Sequence, residues 1–479
     1  MISLKLAPSQ SNLRGCTIKK RMKEINPQIF RAYDIRGVAE RDFTTPVVTA
    51  IGRALGSRAR ERGVKKIAVA RDIRLSSPRL FADLTGGIRA SGVDVLYLGI
   101  VPTPLLYFAL YHYDMDTGVM ITGSHNPRDH NGFKLCENKH SLYGEAIQEL
   151  RERIDEERYT SGSGQMAKAD PVPAWLEYMH SSFSFSAPKR IIVDPGNGAT
   201  GVLLERLFSG FPNLDVSYIN LEPDGNFPAH LADPTVPEYM EELGNLVRKE
   251  GADLGLGFDG DGDRVGAMDE EGRLLFGDKL LALLASEVIE NTPGEKIIFD
   301  VKCSQGIVDY IKARGGVPVM YKTGHSLLKA KLREEEAPLA GEMSGHIFFA
   351  DEFFGYDDAL YAALRLVRLL ELRGKPLSDL AAEVPAYINT PEIHIPCKDE
   401  IKFAVVKKLQ DEFGSEYKTI TIDGARVTFP DGWGLVRASN TQPVLVLRFE
   451  AKTEDALERI RALFFKKLKN HGIEPKEEV

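Results

Sequence analysis

One unit, an apolar strand ending in aspartate followed by a turn, a helix and a second strand, occurs three times in this sequence and constrains its fold more than any other feature. Strands at 67–72, 191–194 and 297–300 open the copies. Helices are expected near 77–91, 199–208 and 304–314, and second strands at 93–98, 215–219 and 317–321. Such alternation is typical of α/β units around parallel or mixed sheets. Solenoid repeats are far shorter, so we infer three related α/β domains.

The chain is also too long for one domain. At 479 residues it exceeds what a single hydrophobic core organises. From about Thr390 the pattern changes to short strands with helices near 399–413 and 453–470, which predicts an α+β domain of another kind. The predicted segments are a disordered N-terminal extension at 1–25, α/β domains at 26–168, 169–272 and 273–386, and an α+β domain at 387–479.

Charge and composition exclude several classes of protein. The net charge is −8, from 61 basic and 69 acidic residues, so a general nucleic-acid binder with a basic face is not expected. No apolar run approaches the roughly 20 residues of a membrane span. The four cysteines are far apart, which suits a reducing compartment, and we expect a cytoplasmic protein with no obligate protein partner. The first 21 residues are basic; a transit peptide, or a true start at Met22, is the alternative to a disordered tail.

A serine is displayed at the end of one predicted strand. Residues 122–127 (Thr-Gly-Ser-His-Asn-Pro, the serine loop) follow the apolar run 119–121. Proline and asparagine end the strand, because proline lacks a backbone donor and asparagine favours a turn. The loop therefore presents Ser124 with His125 beside it and Lys134 a few residues on. Taken alone, Ser124 is equally well read as an ordinary loop serine.

A second loop carries three carboxylates at alternate positions. Residues 257–264 (Gly-Phe-Asp-Gly-Asp-Gly-Asp-Arg, the acidic loop) contain Asp259, Asp261 and Asp263. Glycines between them permit the curvature that aims all three at one hard cation, and Mg²⁺ completed by a phosphate oxygen fits best. The alternatives are an EF-hand calcium loop, which lacks its glycine because Arg264 stands there, and a solvated acidic turn.

Two further loops and one N-terminal segment carry polar groups. In residues 341–346 (the sugar loop), Glu342 and Ser344 suit neighbouring hydroxyls of a sugar, although a helix-capping loop is the alternative. Residues 437–443 begin with Arg-Ala-Ser-Asn-Thr (437–441, the phosphate loop), which supplies phosphate-binding groups or a plain turn. Segment 30–37 places Tyr33 and Arg36 in a strand-like beginning.

These motifs, in this order, resemble those of the α-D-phosphohexomutase superfamily, most closely its bacterial phosphomannomutase/phosphoglucomutase branch. One of the four loops falls in each expected domain, and the resemblance covers the chain from about Asn26 to the C-terminus. It implies a heart-shaped α/β enzyme of four domains, three related mixed-sheet domains and a C-terminal α+β domain, with the active site in the central cleft.

The resemblance also implies residue roles. Ser124 is the phosphorylated serine and, with the three aspartates of the acidic loop, a ligand of one Mg²⁺ per chain. The other implied catalytic residues line the reacting phosphoryl group or move a proton: His125, Lys134, Arg264 and His346. The implied substrate-binding residues are Tyr33, Arg36, Lys302, Lys322, Thr323, Gly324, His325, Glu342, Ser344, Arg437, Ser439, Asn440 and Thr441.

The implied reaction interconverts hexose 1-phosphate and hexose 6-phosphate through phosphoserine and a hexose 1,6-bisphosphate, which also serves as activator. Met343 in the sugar loop favours mannose and glucose, and phosphoglucosamine mutase is the runner-up. A metal-dependent phosphohydrolase and a non-catalytic sugar-phosphate binding protein are the alternatives. The proton acceptor stays open among His346, His325 and Lys134.

Overall fold

The structure is a computed structural model of the chain that describes residues 25–440 and 442–475. Residues 1–24 of the expected N-terminal extension and Thr441 of the phosphate loop lie outside the described residues. No helix among the described residues is long and apolar enough to cross a membrane.

The first domain is a mixed sheet between helices. Its elements are β1 (Ile35–Val38), α1 (Ala39–Asp42), α2 (Thr45–Glu61), β2 (Lys66–Arg71), α3 (Ser77–Ala90), β3 (Asp94–Ile100), α4 (Thr103–His112), β4 (Thr117–Ile121), β5 (His130–Glu137), β6 (His140–Ser141), α5 (Glu145–Asp155) and β7 (Met166–Lys168). The strand order is β1-β5-β4-β2-β3-β7, and β6 pairs with β5. Strand β4 is buried throughout, parallel to β2 and antiparallel to β5.

The second domain repeats this plan with fewer strands. Its elements are α6 (Val172–Ser182), β8 (Lys189–Asp194), a 3₁₀ turn (Ala199–Val202), α7 (Leu204–Phe208), β9 (Leu214–Tyr218), α8 (Pro237–Glu250), β10 (Leu254–Phe258), β11 (Val265–Met268) and β12 (Leu274–Leu275). The strand order is β12-β11-β10-β8-β9. The helix expected near 199–208 is thus a 3₁₀ turn followed by one short helix, since the chain breaks its helical bonding at Leu203.

The third domain has the same core. Its elements are α9 (Gly277–Asn291), β13 (Lys296–Asp300), α10 (Gln305–Ala313), β14 (Val317–Tyr321), α11 (His325–Glu334), β15 (Leu339–Gly341), β16 (Ile347–Phe349), α12 (Ala359–Arg373) and α13 (Leu377–Ala382). The strand order is β14-β13-β15-β16.

The fourth domain is an antiparallel sheet covered by two helices. Its elements are β17 (Ile388–Asn389), β18 (Ile393–Pro396), α14 (Asp399–Glu416), β19 (Lys418–Ile420), β20 (Ala425–Phe429), β21 (Gly432–Ala438), β22 (Val444–Ala451) and α15 (Glu454–Asn470). The strand order is β17-β22-β21-β20-β19, and β18 also pairs with β22. The predicted change to an α+β arrangement is confirmed.

Each of the four loops singled out in the sequence joins two antiparallel neighbours of a sheet. The serine loop joins β4 to β5, the acidic loop β10 to β11, the sugar loop β15 to β16, and the phosphate loop β21 to β22. In the first three domains the strand that enters the loop is parallel to the strand that opens the repeated unit. The repetition in the sequence therefore places three equivalent loops at equivalent ends of three sheets.

The apolar cores divide the molecule unevenly. One continuous cluster runs from Ala68 in the first sheet through the second domain to Val384 in the third. The fourth domain has its own cluster, from Ile395 to Ile473, and a small cluster around Trp433 joins it to the third domain. The first three domains are thus packed together more extensively than the fourth is packed against them.

Candidate active site

The serine loop holds Ser124 in an uncommon backbone conformation. Its φ is 49°, in the left-handed region that residues with a side chain rarely adopt. The Ser124 amide donates to Thr122 Oγ1 at 2.8 Å. The Ser124 side chain is buried, and its hydroxyl donates to Asp259 Oδ2 at 2.7 Å and lies 3.1 Å from His125 Nδ1. Serine loop and acidic loop therefore meet, although 135 residues separate them in sequence.

The three aspartates of the acidic loop are fully buried and converge. Their ligand atoms lie within 4.8 Å of one another. Asp259 Oδ1 accepts the backbone N–H groups of Asp263 and Arg264, at 3.0 and 3.2 Å, which fixes its carboxylate. Lys134 Nζ donates to Asp261 Oδ2 at 2.7 Å and also to Asp263 Oδ2. The loop lies between two strands, not two helices, so the EF-hand alternative is wrong.

This donor set fits a hard divalent cation. Three buried carboxylates face one ammonium, and Asp261 Oδ1 and Asp263 Oδ1 accept no hydrogen bond from the described residues. Burial, together with the negative charges of Asp263 and Asp261, raises the pKa of the Asp259 carboxyl well above its ordinary value. Binding of Mg²⁺ would supply the positive charge that one ammonium leaves unmatched among these carboxylate oxygens.

A second buried network links Arg264 to two histidines. Arg264 Nε donates to His346 Nε2 at 2.9 Å, and His346 Nδ1 lies 3.0 Å from Asp357 Oδ2. The His325 ring stacks on the His346 ring with centroids 5.3 Å apart, and His325 Nδ1 lies 3.5 Å from the same Asp357 oxygen. Because Nε2 accepts from Arg264, a neutral His346 carries its proton on Nδ1, the nitrogen nearer Asp357.

Burial opposes protonation of two histidines of the cleft lining. Burial, reinforced by the charges of Arg264 and Arg36, lowers the pKa of His125 well below its ordinary value. Burial and the Lys329 ammonium likewise lower the pKa of His325. Lys134 behaves in the opposite way: burial alone would lower its pKa, but Asp261 and Asp263 outweigh that effect and raise it. Lys134 therefore stays charged, while His125 and His325 stay neutral.

The sugar loop is tied to the segment after β14. Glu342 Oε1 accepts the Gly324 amide at 2.8 Å and its Oε2 accepts the Ser344 hydroxyl at 2.9 Å. Gly324 has φ of 134°, and a Cβ there would lie 2.5 Å from the Tyr33 ring, so only glycine fits. The Tyr33 hydroxyl donates to the Thr323 carbonyl at 2.7 Å. These contacts place predicted sugar-binding groups of the first and third domains side by side.

The phosphate loop brings the fourth domain to the same place. Arg437 is buried, and its Nε donates to Asp423 Oδ2 at 2.9 Å. Asn440 Nδ2 donates to the Tyr33 hydroxyl, which joins the first and fourth domains. Lys402 Nζ reaches back from α14 to the carbonyl oxygens of Ser439 and Gln442 and so holds the loop.

Most of the predicted site residues line one cleft of about 640 Å³. Those that line it are Tyr33, Arg36, His125, Arg264, Lys302, Thr323, Gly324, His325, Glu342, Ser344, His346, Arg437, Ser439 and Asn440. Ser124, Lys134 and the three aspartates form a hydrogen-bonded group beside this lining, reached through His125. The structure thus gathers residues from all four domains.

Among the described residues predicted to bind substrate, Lys322 is the one that does not line the cleft. It lines a separate cavity of about 340 Å³ behind Tyr33, together with Phe403 and Asp423. Adjacent residues of an extended segment face opposite sides, so Lys322 faces away where Thr323 faces the cleft. Its substrate-binding role stays a prediction, as do the roles of the other residues.

Several residues of the site were not singled out in the sequence. Asp357 holds both cleft histidines, Arg74 binds the backbone of the serine loop, and Lys402 binds that of the phosphate loop. Glu392 Oε1 accepts from Lys302 Nζ at 2.6 Å and lines the cleft. The aspartate that ends the first strand of each repeated unit could have pointed to Asp72, and Arg74 follows two residues later. No local sequence pattern points to Asp357 or Lys402.

Comparison with protein families gives matches over nearly the whole described chain. The model described as phosphoglucomutase/phosphomannomutase, alpha/beta/alpha domain I, matches residues 27–161. The corresponding models of domains II and III match 173–272 and 276–387, and that of the C-terminal domain matches 392–467.

Similar proteins are found among curated sequences and solved structures. A phosphomannomutase/phosphoglucomutase of Pseudomonas aeruginosa is 46% identical over 442 residues, covering 92% of this chain and 95% of that protein. A phosphoglucomutase of Neisseria gonorrhoeae is 42% identical over 448 residues, covering 92% and 97%. The crystal structure of a phosphoglucomutase/phosphomannomutase family protein from Burkholderia thailandensis matches with a TM-score of 0.87 at 41% identity, covering 95% of this chain and all of that one.

Proposed function

The chain belongs to the phosphoglucomutase/phosphomannomutase family and is a phosphohexomutase, and we propose that it moves a phosphoryl group between O1 and O6 of mannose and glucose by way of phosphorylated Ser124. The observation that carries this proposal is the 2.7 Å hydrogen bond that the Ser124 hydroxyl donates to Asp259 Oδ2. It joins a nucleophile of the first domain to the cation-binding loop of the second, beside a cleft whose lining comes from the first, third and fourth domains as well.

Phosphorylated Ser124 transfers its phosphoryl group to the free hydroxyl of a bound hexose monophosphate. The bond from phosphorus to the serine oxygen breaks as the bond to the sugar oxygen forms, and the product is a hexose 1,6-bisphosphate. After the bisphosphate turns around in the cleft, the Ser124 oxygen accepts the other phosphoryl group and the isomeric monophosphate leaves. Added hexose 1,6-bisphosphate activates the enzyme, because it rephosphorylates any Ser124 that has lost its phosphate.

The hydroxyl proton needs an acceptor, and His346 is favoured among the three candidates. Its Nε2 accepts a hydrogen bond and faces the cleft, while Nδ1 is directed to Asp357. Lys134 is bound to two carboxylates and keeps its proton. As the sugar oxygen attacks phosphorus, Arg264 Nε gives up its hydrogen bond to His346 Nε2, Nε2 takes the hydroxyl proton, and the Ser124 oxygen leaves as an alkoxide. When that alkoxide takes the other phosphoryl group, His346 returns the proton to the sugar oxygen that is released.

Charge stabilisation comes from cations that surround the phosphoryl group. Lys134 is buried with its ammonium on two aspartates of the acidic loop, and Arg264 is half-buried at the end of that loop, so both cations are in position before the reaction. Mg²⁺ held by Asp259, Asp261 and Asp263, together with a phosphate oxygen on Ser124, would neutralise the charge of the transferring group. Arg437, Ser439, Asn440 and Thr441 hold the phosphate that does not react, and Glu342 and Ser344 bind sugar hydroxyls.

Intact-protein mass spectrometry tests the proposal. Freshly purified enzyme should carry the mass of one phosphate, and Ser124→Ala should lack both that mass and mutase activity. An unmodified wild-type protein with full activity would overturn the role of Ser124. Steady release of inorganic phosphate from glucose 1-phosphate would instead favour a phosphohydrolase, and absence of any turnover a binding protein.

The preferred sugar is tested separately. Met343 lines the cleft and its sulfur lies 2.7 Å from Arg448 Nη1, so this residue helps to shape the sugar site. We expect kcat/KM for mannose 1-phosphate and glucose 1-phosphate to exceed that for glucosamine 1-phosphate. The reverse order would make the enzyme a phosphoglucosamine mutase without affecting the role of Ser124.

A further inference from the structure

The backbone of the serine loop is bound from behind by a single buried guanidinium. Arg74 Nη1 donates to the carbonyl oxygens of Pro127 and His130, at 2.6 and 2.9 Å. Its Nη2 donates to those of Ser124 and Asn126, at 2.8 and 2.5 Å. Only 1% of the Arg74 surface is exposed. Three carbonyl groups of the serine loop and that of His130, the first residue of β5, thus share one planar cation.

Arg74 is itself fixed by the aspartate that follows β2. Asp72 Oδ1 accepts the Arg74 amide at 3.0 Å, and Asp72 Oδ2 lies 3.4 Å from Arg74 Nε. The same Oδ2 accepts the amide of Gly123, at 3.2 Å, directly before the serine. Asp72 therefore accepts from an amide of the loop, while Arg74 donates to its carbonyl groups.

The second domain completes this arrangement. The Phe227 ring lies over the Arg74 guanidinium with its centroid 5.1 Å away. On the other side of Ser124, a Cβ on Gly260 of the acidic loop would lie 2.4 Å from the Ser124 carbonyl oxygen. The Ser124 carbonyl is thus confined between the guanidinium and the acidic loop.

This confinement offsets a conformational cost. A serine in the left-handed region is strained, and it relaxes unless its surroundings hold it. Hydrogen bonds from a charged donor are roughly twice as strong as neutral ones. The planar fork of arginine serves four acceptors at once, which the single point charge of lysine cannot reproduce.

We infer that Arg74 is a positioning residue for phosphoryl transfer: it fixes the serine-loop backbone so that the Ser124 oxygen meets the acidic loop. The inference rests on the proposed role of Ser124. Arg74 acts through the backbone, since its four hydrogen bonds within the described residues go to carbonyl oxygens. Its loss should therefore slow the transfer step and leave binding of the hexose phosphate unchanged.

The test compares R74K with R153K. Arg153 is a buried arginine of the same domain that binds Glu61 with both terminal nitrogens, away from the cleft. Displacing reacting atoms by about 1 Å costs roughly 10²-fold in rate. We expect R74K to lower kcat about 10²-fold, while KM for glucose 1-phosphate stays within threefold of the wild-type value. Circular dichroism measures the folded fraction, so that kcat is expressed per folded molecule. R153K should keep wild-type kcat even where it unfolds at lower temperature.

Two further measurements separate the outcomes. Glucose 1,6-bisphosphate should phosphorylate R74K more slowly than wild type in a single turnover followed by intact mass. Methylguanidinium should restore part of the activity of R74A, whereas methylammonium at equal concentration should not. If R74K keeps wild-type kcat while Ser124→Ala is inactive, the inference about Arg74 is wrong and the proposed function stands. The same holds if a rise in KM accounts for the whole loss of kcat/KM in R74K. A fully active Ser124→Ala would overturn the proposed function first.

Discussion

At the scale of single residues, the site depends on groups whose usual freedom has been removed. Ser124 is held at a positive φ, and the three aspartates are buried together. His346 has its two ring nitrogens assigned by Arg264 and Asp357. Asp357 is fully buried and also accepts from Lys329 Nζ at 2.8 Å, so its charge is balanced and its orientation fixed. The imidazole therefore keeps its orientation, and it accepts a proton once Arg264 releases Nε2.

Asp357→Asn tests this assignment. The neutral amide no longer selects the Nδ1–H form of His346, so Nε2 becomes a poorer acceptor. We expect kcat to fall about 10²-fold, the typical contribution of a positioned base. KM should change little, because Asp357 is not part of the cleft lining. Steady-state kinetics with glucose 1-phosphate measure both values.

Asp358→Asn is the matched control. Asp358 is the next residue and is equally buried, but it caps α12 by accepting the amides of Leu360 and Tyr361 at 2.9 and 3.0 Å. Burial raises the pKa of Asp358 to about 7, so an uncharged amide is a close substitute. This variant should keep wild-type kcat. Equal loss of kcat in both variants would show that packing, and not orientation of His346, explains the effect of Asp357.

At the scale of elements, each site loop joins antiparallel neighbours, and two of the four, together with the segment that follows β13, are served by buried cations that bind backbone oxygens. Arg74 binds the serine loop, and Lys402 the phosphate loop. Arg426 and Arg448 donate to carbonyl groups of residues 301–303 at the end of β13. Such loops cannot pair all their carbonyl groups within a sheet, so buried donors supply the missing hydrogen bonds.

The difference between the loops, which have local sequence patterns, and the distant cations that support them explains what the sequence predicts. Strand ends followed by Gly, Pro and Asp are local patterns, so the four loops and their sheets were predictable from the residues. The cation site of the acidic loop was argued from its carboxylates, whereas the phosphorylation of Ser124 came from the family resemblance. Arg74 is 50 residues from Ser124, and Lys402 is 37 from Ser439. No local rule pairs residues at such distances, and the direction in which Lys322 faces depends on how its strand ends.

Gly260→Ala tests the contact between two loops. A methyl group 2.4 Å from the Ser124 carbonyl oxygen must push the acidic loop away from the serine loop. We expect kcat to fall about 10²-fold and the Mg²⁺ concentration for half-maximal activity to rise. Activity titrated with Mg²⁺ at saturating glucose 1-phosphate measures both effects.

Gly86→Ala serves as the control for this substitution. Gly86 lies in α3, and a Cβ there meets no atom within 4 Å. The alanine should leave kcat unchanged and raise the free energy of unfolding by about 0.5–1 kcal/mol, because alanine favours helix. Normal kcat and normal Mg²⁺ dependence in Gly260→Ala would contradict the close approach of the loops.

At the scale of the whole molecule, the fourth domain meets the others through polar contacts and one small apolar cluster around Trp433, whereas a continuous apolar cluster runs through the other three domains. Lys302 binds Glu392 at 2.6 Å, and Arg31 lies 3.5 Å from Asp399. Asn440 binds the Tyr33 hydroxyl. Polar contacts exchange readily with water, whereas a continuous apolar core opens only at high cost. We therefore expect the fourth domain to move most when substrate binds, bringing residues 437–441 toward Ser124.

Tyr33→Phe tests this closure. The Tyr33 hydroxyl donates to the Thr323 carbonyl and accepts from Asn440, so it joins three domains at the edge of the cleft. Loss of these two bonds, worth about 1 kcal/mol in net terms, should raise KM for glucose 1-phosphate roughly fivefold with kcat nearly unchanged. Tyr178→Phe is the control, because its hydroxyl binds the Glu352 carbonyl at 2.9 Å between domains that share a core. Small-angle X-ray scattering measures the radius of gyration as glucose 1-phosphate is added. At a concentration where wild type and Tyr178→Phe have contracted fully, Tyr33→Phe should have contracted only in part. Equal contraction at every concentration, or no contraction in any of the three, would contradict a closure that Tyr33 stabilises.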